Sequence, residues 1–105
     1  WFEIGRTEIL RQYGFNYADF ENQNIMAPVV EVKCNYKLAA KYDDVIIIKT
    51  GIDKLGNSSI RFHYKVIRKK DNKLLAEGYT VNVFVDKKTM KSIKIPDNLR
   101  KSLQD

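Results

Sequence analysis

Residues 60–66 alternate without a break: Ile60, Phe62, Tyr64 and Val66 are apolar, while Arg61, His63 and Lys65 between them are polar. A period of two marks a strand with one packed face and one face turned to water or a partner. Just beyond it, Lys70-Asp71-Asn72-Lys73 supplies Asp and Asn, which tolerate the left-handed backbone of a tight hairpin. A second alternation follows, with Tyr79, Val81, Val83 and Val85 on one face and Thr80, Asn82 and Phe84 on the other. Two long strands joined by a hairpin commit this chain to an antiparallel sheet, and the remaining elements must be placed around it.

Two further strands precede that pair. Val30, Val32, Cys34 and Tyr36 alternate with Glu31, Lys33 and Asn35, the pattern of a half-buried strand. Val45-Ile46-Ile47-Ile48 is a β-branched run that reads as a strand buried on both faces. Leu55-Gly56-Asn57 is a corner. Ser92 to Ile95 forms a short extension, and Pro96-Asp97 offers a stop and an N-cap for a closing helix through Leu103. Ahead of the strands, Phe2, Ile9 and Tyr13 recur at helical spacing with Gly5 on the same face, and Gly14 is the natural stop. Residues 17–21 fit another short helical turn. The first helix has no Ser, Thr, Asp or Asn before its apolar run, so it reads as an element already under way at Trp1. The resulting class is α+β: a curved antiparallel sheet wrapped around one helix, with Gly5 allowing close approach.

A chain of 105 residues is one domain. A single cysteine, Cys34, excludes an intramolecular disulfide and fits a reducing compartment, so the expected location is cytoplasmic. No apolar stretch approaches a membrane span. The net charge of +6 suits a polyanionic partner, whether nucleic acid, an anionic membrane or a phosphorylated small molecule, and charge does not choose among them. No GxGxxG, P-loop or metal-ligand spacing is present. His63, the only histidine, has no Ser, Cys or carboxylate at triad spacing and reads as exposed. Cys34 reads as a small hydrophobe on an apolar face.

WFEIGRTEIL, MAPVVEVKCNY, AAKYDDVIIIKT, LGNSSIRFHYKV and LLAEGYTVNVFVD running into KIP occur in an order that resembles the hotdog-fold acyl-CoA thioesterases of the 4-hydroxybenzoyl-CoA thioesterase class. The resemblance implies the hotdog fold over residues 1–105 and hydrolysis of an acyl-coenzyme A to free acid and CoA. It implies no metal and no redox cofactor, coenzyme A being part of the substrate. Members of the family carry a first strand and then a loop whose aspartate acts on the thioester, beside backbone N–H groups that polarise the carbonyl. Neither loop nor strand is matched here, so both are expected before Trp1 and the main catalytic residue stays unassigned in this numbering. A homodimer or homotetramer with active sites between subunits is implied as well.

Of the visible residues, Gly56, Asn57 and Ser58 match the place where a turn approaches the pantetheine arm or phosphates of coenzyme A. An ordinary tight turn is the equal alternative. Glu3, near the expected active-site end of the helix, is a reserve candidate for the base. Glu8 and Arg11 read as a surface pair, and Asp43-Asp44 as turn and cap residues. Lysines and arginines at Arg68-Lys69-Lys70, Lys87-Lys88, Lys91 and Lys94 suit CoA phosphates or simple solubility. A nucleic-acid platform would interleave aromatics with the basic residues, whereas Phe62 and Tyr64 point away from Arg61, His63 and Lys65. The substrate of the enzyme is expected to be a thioester carried on CoA or on an acyl carrier protein, and the rival of another class is a non-catalytic acyl-thioester or protein-binding module using the same cleft.

Overall fold

The long hairpin forms where the alternation requires it. In the computed structural model, which describes residues 1–12, 14, 15, 20 and 22–104, β4 (Ser59–Arg68) and β5 (Lys73–Val83) pair antiparallel with Phe62 opposite Thr80 and Tyr64 opposite Gly78. Asn72 takes the turn at φ 61°. Two strands flank the pair: β2 (Val29–Tyr36) on β5 and β3 (Ile46–Leu55) on β4, in the order β2-β5-β4-β3. Register shifts at Val29/Glu31, Ile52/Lys54 and Val66/Ile67 add the bends that curve the sheet. A second, two-stranded sheet pairs β1 (Ile25–Met26) with β6 (Val85–Asp86).

Helix α1 (Phe2–Gln12) lies on the concave face. Gly14 closes it at φ 87°, its N–H bonded to Arg11 O at 2.9 Å. Gly5 has the role its position suggested. A Cβ there would overlap Thr50 Oγ1 and sit 3.1 Å from Ile48 Cγ2 and 3.2 Å from Tyr64 Cδ1. Phe2 stacks on Tyr64 with ring centroids 4.3 Å apart, which clamps the first turn of the helix to β4. Leu10, Ile60, Phe62 and Phe84 form the core with Leu99 of α2 (Asp97–Gln104), the closing helix. Ser92 makes an isolated bridge to Val85, which is the short extension in minimal form. Tyr13 and residues 17–19 and 21 lie outside the described residues.

The buried face of β5 is the one that looks polar. Thr80, Asn82 and Phe84 are buried, while Tyr79, Val81 and Val83 turn outward. The polar pair is mostly paired from inside: Thr80 Oγ1 lies 2.6 Å from Tyr64 OH, and Asn82 donates to Ala27 O at 2.7 Å, while Asn82 Oδ1 is buried without a hydrogen-bond partner among the described residues. A hydrogen-bonded polar group costs little to bury, so register outweighs side-chain hydropathy here.

Two strand readings need correcting. Residues 30–36 are not half-buried: β2 is an edge strand, and Val30, Val32 and Tyr36 on it are exposed. Residues 45–48 are not buried on both faces either, since β3 is the opposite edge and Val45 and Ile47 stay exposed. Apolar composition recorded that these strands want cover, and among the described residues that cover is incomplete.

Candidate active site

The first turn of α1 and the inner face of β2 enclose a cavity of about 280 Å³ lined by Trp1, Phe2, Glu3, Val32, Cys34 and Tyr36, with Ala76 also on its wall. Its floor is fixed by the Phe2–Tyr64 stack and by Ala76. On the open side, Val32 is 64% and Tyr36 80% exposed. The lining is mainly apolar, with one carboxylate, one thiol and one phenol. The Cys34 side chain beside Tyr36 raises the phenol pKa above its ordinary value. Glu3 lines the cavity and is exposed. Cys34 and Tyr36 are the residues that sequence reasoning missed. The signal was present in their alternation with Asn35, which puts both on the helix-facing side of β2.

Gly56, Asn57 and Ser58 lie at the other end of the sheet, and one chain does not bring them to the cavity. The stretch of β4 from Tyr64 back to Ser59 spans roughly 17 Å. The corner is tied to the C-terminal segment: Arg100 donates to Gly56 O and Asn57 O, Ile95 N–H to Asn57 O at 2.8 Å, and Phe84 N–H to Ser58 O at 2.7 Å. A Cβ at Gly56 would lie 2.6 Å from Ser59 Oγ, a side-chain atom that can rotate away, and 3.7 Å from Ser59 O. Asn57 is exposed and Ser58 half-buried.

The remaining candidates fall into structural roles. Glu8 and Arg11 pair at 2.6 Å on the exposed helix face. His63 is exposed. On the outer sheet face the Arg61 guanidinium lies 3.9 Å over the Tyr79 ring, and Tyr79 OH donates to Glu31 at 3.0 Å. That aromatic is covered by Arg61, and Phe62 and Tyr64 are buried. Among the described residues no group of His, Cys, Asp and Glu could hold a metal ion, and no helix is long and apolar enough to cross a membrane.

Asp44 does cap a turn. Its carboxylate accepts Lys41 N–H at 2.8 Å and faces Arg68 at 3.6 Å and Lys70 at 3.9 Å, and these partners hold its pKa below the ordinary carboxylate value. Arg68 likewise lowers Asp71, and the Thr89 and Lys88 N–H groups lower Asp86. Depressed folded-state pKa values stabilise the protein above the unfolded carboxylate pKa of about 4 and lose that effect as pH falls through the folded values. Melting temperature is therefore expected to stay level from pH 7 to about 5 and fall below about 4. Asp44→Asn should flatten that acid limb, as measured by thermal melts across pH.

An antiparallel sheet wrapped around a helix, with an acyl-sized apolar cavity at the start of that helix, is the hotdog architecture. The profile of the Thioesterase-like superfamily matches residues 1–103, and the chain belongs to that family. Acyl-CoA thioesterase YbgC of Haemophilus influenzae is 30% identical over 102 residues, covering 95% of this chain and 73% of that protein. Acyl-CoA thioester hydrolase YbgC of Escherichia coli is 27% identical over 99 residues, covering 94% and 73%. Among solved structures, DHNA-CoA thioesterase of Staphylococcus aureus superposes with a TM-score of 0.93 at 26% identity, covering 99% of this chain and 71% of that one. These relatives make the 4-hydroxybenzoyl-CoA class a loose fit within the right family.

Proposed function

We propose that the protein hydrolyses acyl-coenzyme A thioesters to free acid and CoA, and the observation that carries this is the family match along residues 1–103 to a chain with an acyl-sized cavity at the helix start. In the reaction the C–S bond breaks, water supplies the hydroxyl of the acid, and the thiolate takes a proton. No metal or redox cofactor is required, since coenzyme A is half of the substrate. The helix and β2 wall the acyl group, and the Tyr36 phenol on that wall is assigned a hydrogen bond to a polar acyl atom or the carbonyl. The attacking or activating carboxylate is assigned to the family's aspartate loop, matched by none of residues 1–105, with Glu3 in reserve. Gly56, Asn57 and Ser58 are assigned to the CoA tail, a role supported by the exposed Asn57 and half-buried Ser58 at the corner. A cytoplasmic setting fits the free thiol of Cys34.

The working unit in this proposal is at least a homodimer. Among the described residues the outer edge of β2 has no strand partner, and the cavity is open on the same side. Pairing β2 with β2 of a second copy continues the sheet and covers Val32 and Tyr36 in one step. A tetramer built from two such dimers is compatible with it.

The test is thiol release from a panel of acyl-CoAs by the full-length protein. Turnover should vanish when the loop aspartate becomes Asn; activity that survives moves the base to Glu3, and no turnover on any acyl-CoA leaves the non-catalytic binding module. Ser58→Ala should raise KM by a factor corresponding to about 0.5–1.5 kcal/mol with unchanged melting temperature. Unchanged kinetics would make Ser58 an ordinary turn residue.

A further inference from the structure

The corner between β3 and β4 is held by its carbonyls, and the donors come from the C-terminal part of the chain. Arg100, on α2, donates through Nη2 to Gly56 O and, at 3.4 Å, to Asn57 O. Asn57 O also accepts the Ile95 N–H at 2.8 Å, and Ser58 O accepts the Phe84 N–H at 2.7 Å. Ile95, Phe84 and Leu99, the neighbour of Arg100, are all buried, so these donors stand on the core. No peptide bond among the described residues is cis. In a planar trans peptide the N–H points opposite to the C=O. With Gly56 O and Asn57 O turned towards α2 and Ile95, the N–H groups of Asn57 and Ser58 are turned away from them. Among the described residues neither N–H meets an acceptor, and Asn57 is exposed. Two successive outward N–H groups are a donor pattern that holds an anion. Arg100 is half-buried and pairs with no carboxylate among the described residues, so its bonds to the corner are the ones that fix it.

We infer that Arg100 is a positioning residue for substrate binding: by holding the Gly56 and Asn57 carbonyls it keeps the Asn57 and Ser58 N–H groups aimed outward, where they donate to a phosphate of the coenzyme A tail. The inference rests on the thioesterase reading above and on its assignment of this corner to the CoA tail. Arg100 acts through the corner backbone and does not touch the reacting atoms. The corner lies at the far end of the sheet from the acyl cavity, so loss of Arg100 reaches turnover only through the tail. A clamp that merely closed the fold would act alike on every thioester. A clamp that orients N–H donors acts only on a thioester that carries phosphates.

The experiment presents one acyl group on CoA and on N-acetylcysteamine, which ends before the phosphates, to the full-length protein and two variants. Arg100→Met keeps the aliphatic stem and removes the donors; Arg100→Lys restores a donor. On acyl-CoA, Arg100→Met should raise KM about fivefold, the scale of one hydrogen bond, with kcat within twofold. On the truncated thioester its kcat/KM should stay within twofold, and Arg100→Lys should recover most of the loss on acyl-CoA. The KM ratio of Arg100→Met to wild type should persist from about 0.05 to 0.5 M NaCl; a ratio that collapses with salt would overturn the positioning role, because the guanidinium would then meet the phosphate directly. Equal losses on both thioesters, or an unchanged KM on acyl-CoA, would overturn it by leaving Arg100 a clamp of the fold alone. Melting temperatures identify a loosened fold, which the truncated thioester also reports. Calorimetric titration with coenzyme A reads the contact without turnover, and Arg100→Met should bind about fivefold more weakly. If wild type releases thiol from neither substrate, the thioesterase reading fails, while that titration still decides the role of Arg100.

Discussion

Gly78→Val is expected to leave no stably folded protein, and Gly78→Ala to be severely destabilised. Gly78 sits on β5 opposite Tyr64 of β4 and Cys34 of β2, in the middle of the sheet. A Cβ built on it would overlap Lys33 O and lie 2.9 Å from Lys33 C and 3.0 Å from Cys34 Cα. All three obstacles are backbone atoms, so no rotamer change relieves the clash. The neighbouring strand must move outward, and the β2–β5 ladder from Glu31 to Tyr36 moves with it. Overpacking in a core where side chains can yield costs about 1–3 kcal/mol. Here only main chain can yield, so alanine should reach at least the upper end of that range, a large part of the usual 5–15 kcal/mol of total stability. Urea unfolding monitored by circular dichroism checks this; a midpoint within error of wild type would show that β2 is free to shift. Gly5→Ala is the milder comparison, since Thr50 Oγ1 is a side-chain atom and the helix can lift slightly.

Neither the necessity of Gly78 nor the burial of Asn82 could be read from the sequence, and the reason is common to both. Periodicity reports which residues share a face. It does not report how near the next strand runs, or which backbone carbonyl will meet a buried amide. The alternation at 60–66, the Asp71-Asn72 turn, the Gly14 stop and the closing helix after Pro96 are local decisions of the chain, and each stands where local chemistry puts it. The apolar stripes of β2 and β3 misled because burial is a tertiary property: both strands are edges among the described residues, and there their exposed valines and isoleucines have no cover. The candidate site divides the same way. The helix wall and Glu3 were legible from helical spacing. The pairing of that wall with Cys34 and Tyr36 required the β2–β5 register, which places Cys34 against Gly78 and Tyr36 against Ala76.

Among substitutions within residues 1–105, the one expected to have the largest effect on turnover lies at one of the most exposed apolar positions. Val32→Asp should convert the protein to monomers and remove most of its activity, while leaving each chain's secondary structure intact. In a single chain Val32 is 64% exposed near the middle of β2, and a surface change there is worth no more than about 0.5 kcal/mol. In the proposed dimer the same position is covered, and two-fold symmetry places two introduced carboxylates near each other. Burying an unpaired charge costs about 3–5 kcal/mol, so the dimer dissociation constant should rise a hundredfold or more. Val32 also lines the acyl cavity, so lost turnover alone would be ambiguous. Protein concentration separates the two causes. A weakened dimer regains specific activity as concentration rises, because association is governed by mass action, whereas a damaged pocket does not. Val32→Ala supplies the control: it trims the pocket without adding charge, and should stay dimeric with modestly altered KM. Light scattering that finds Val32→Asp as large as wild type, with circular dichroism unchanged, would place the subunit contact elsewhere and leave the open side of the cavity to another partner.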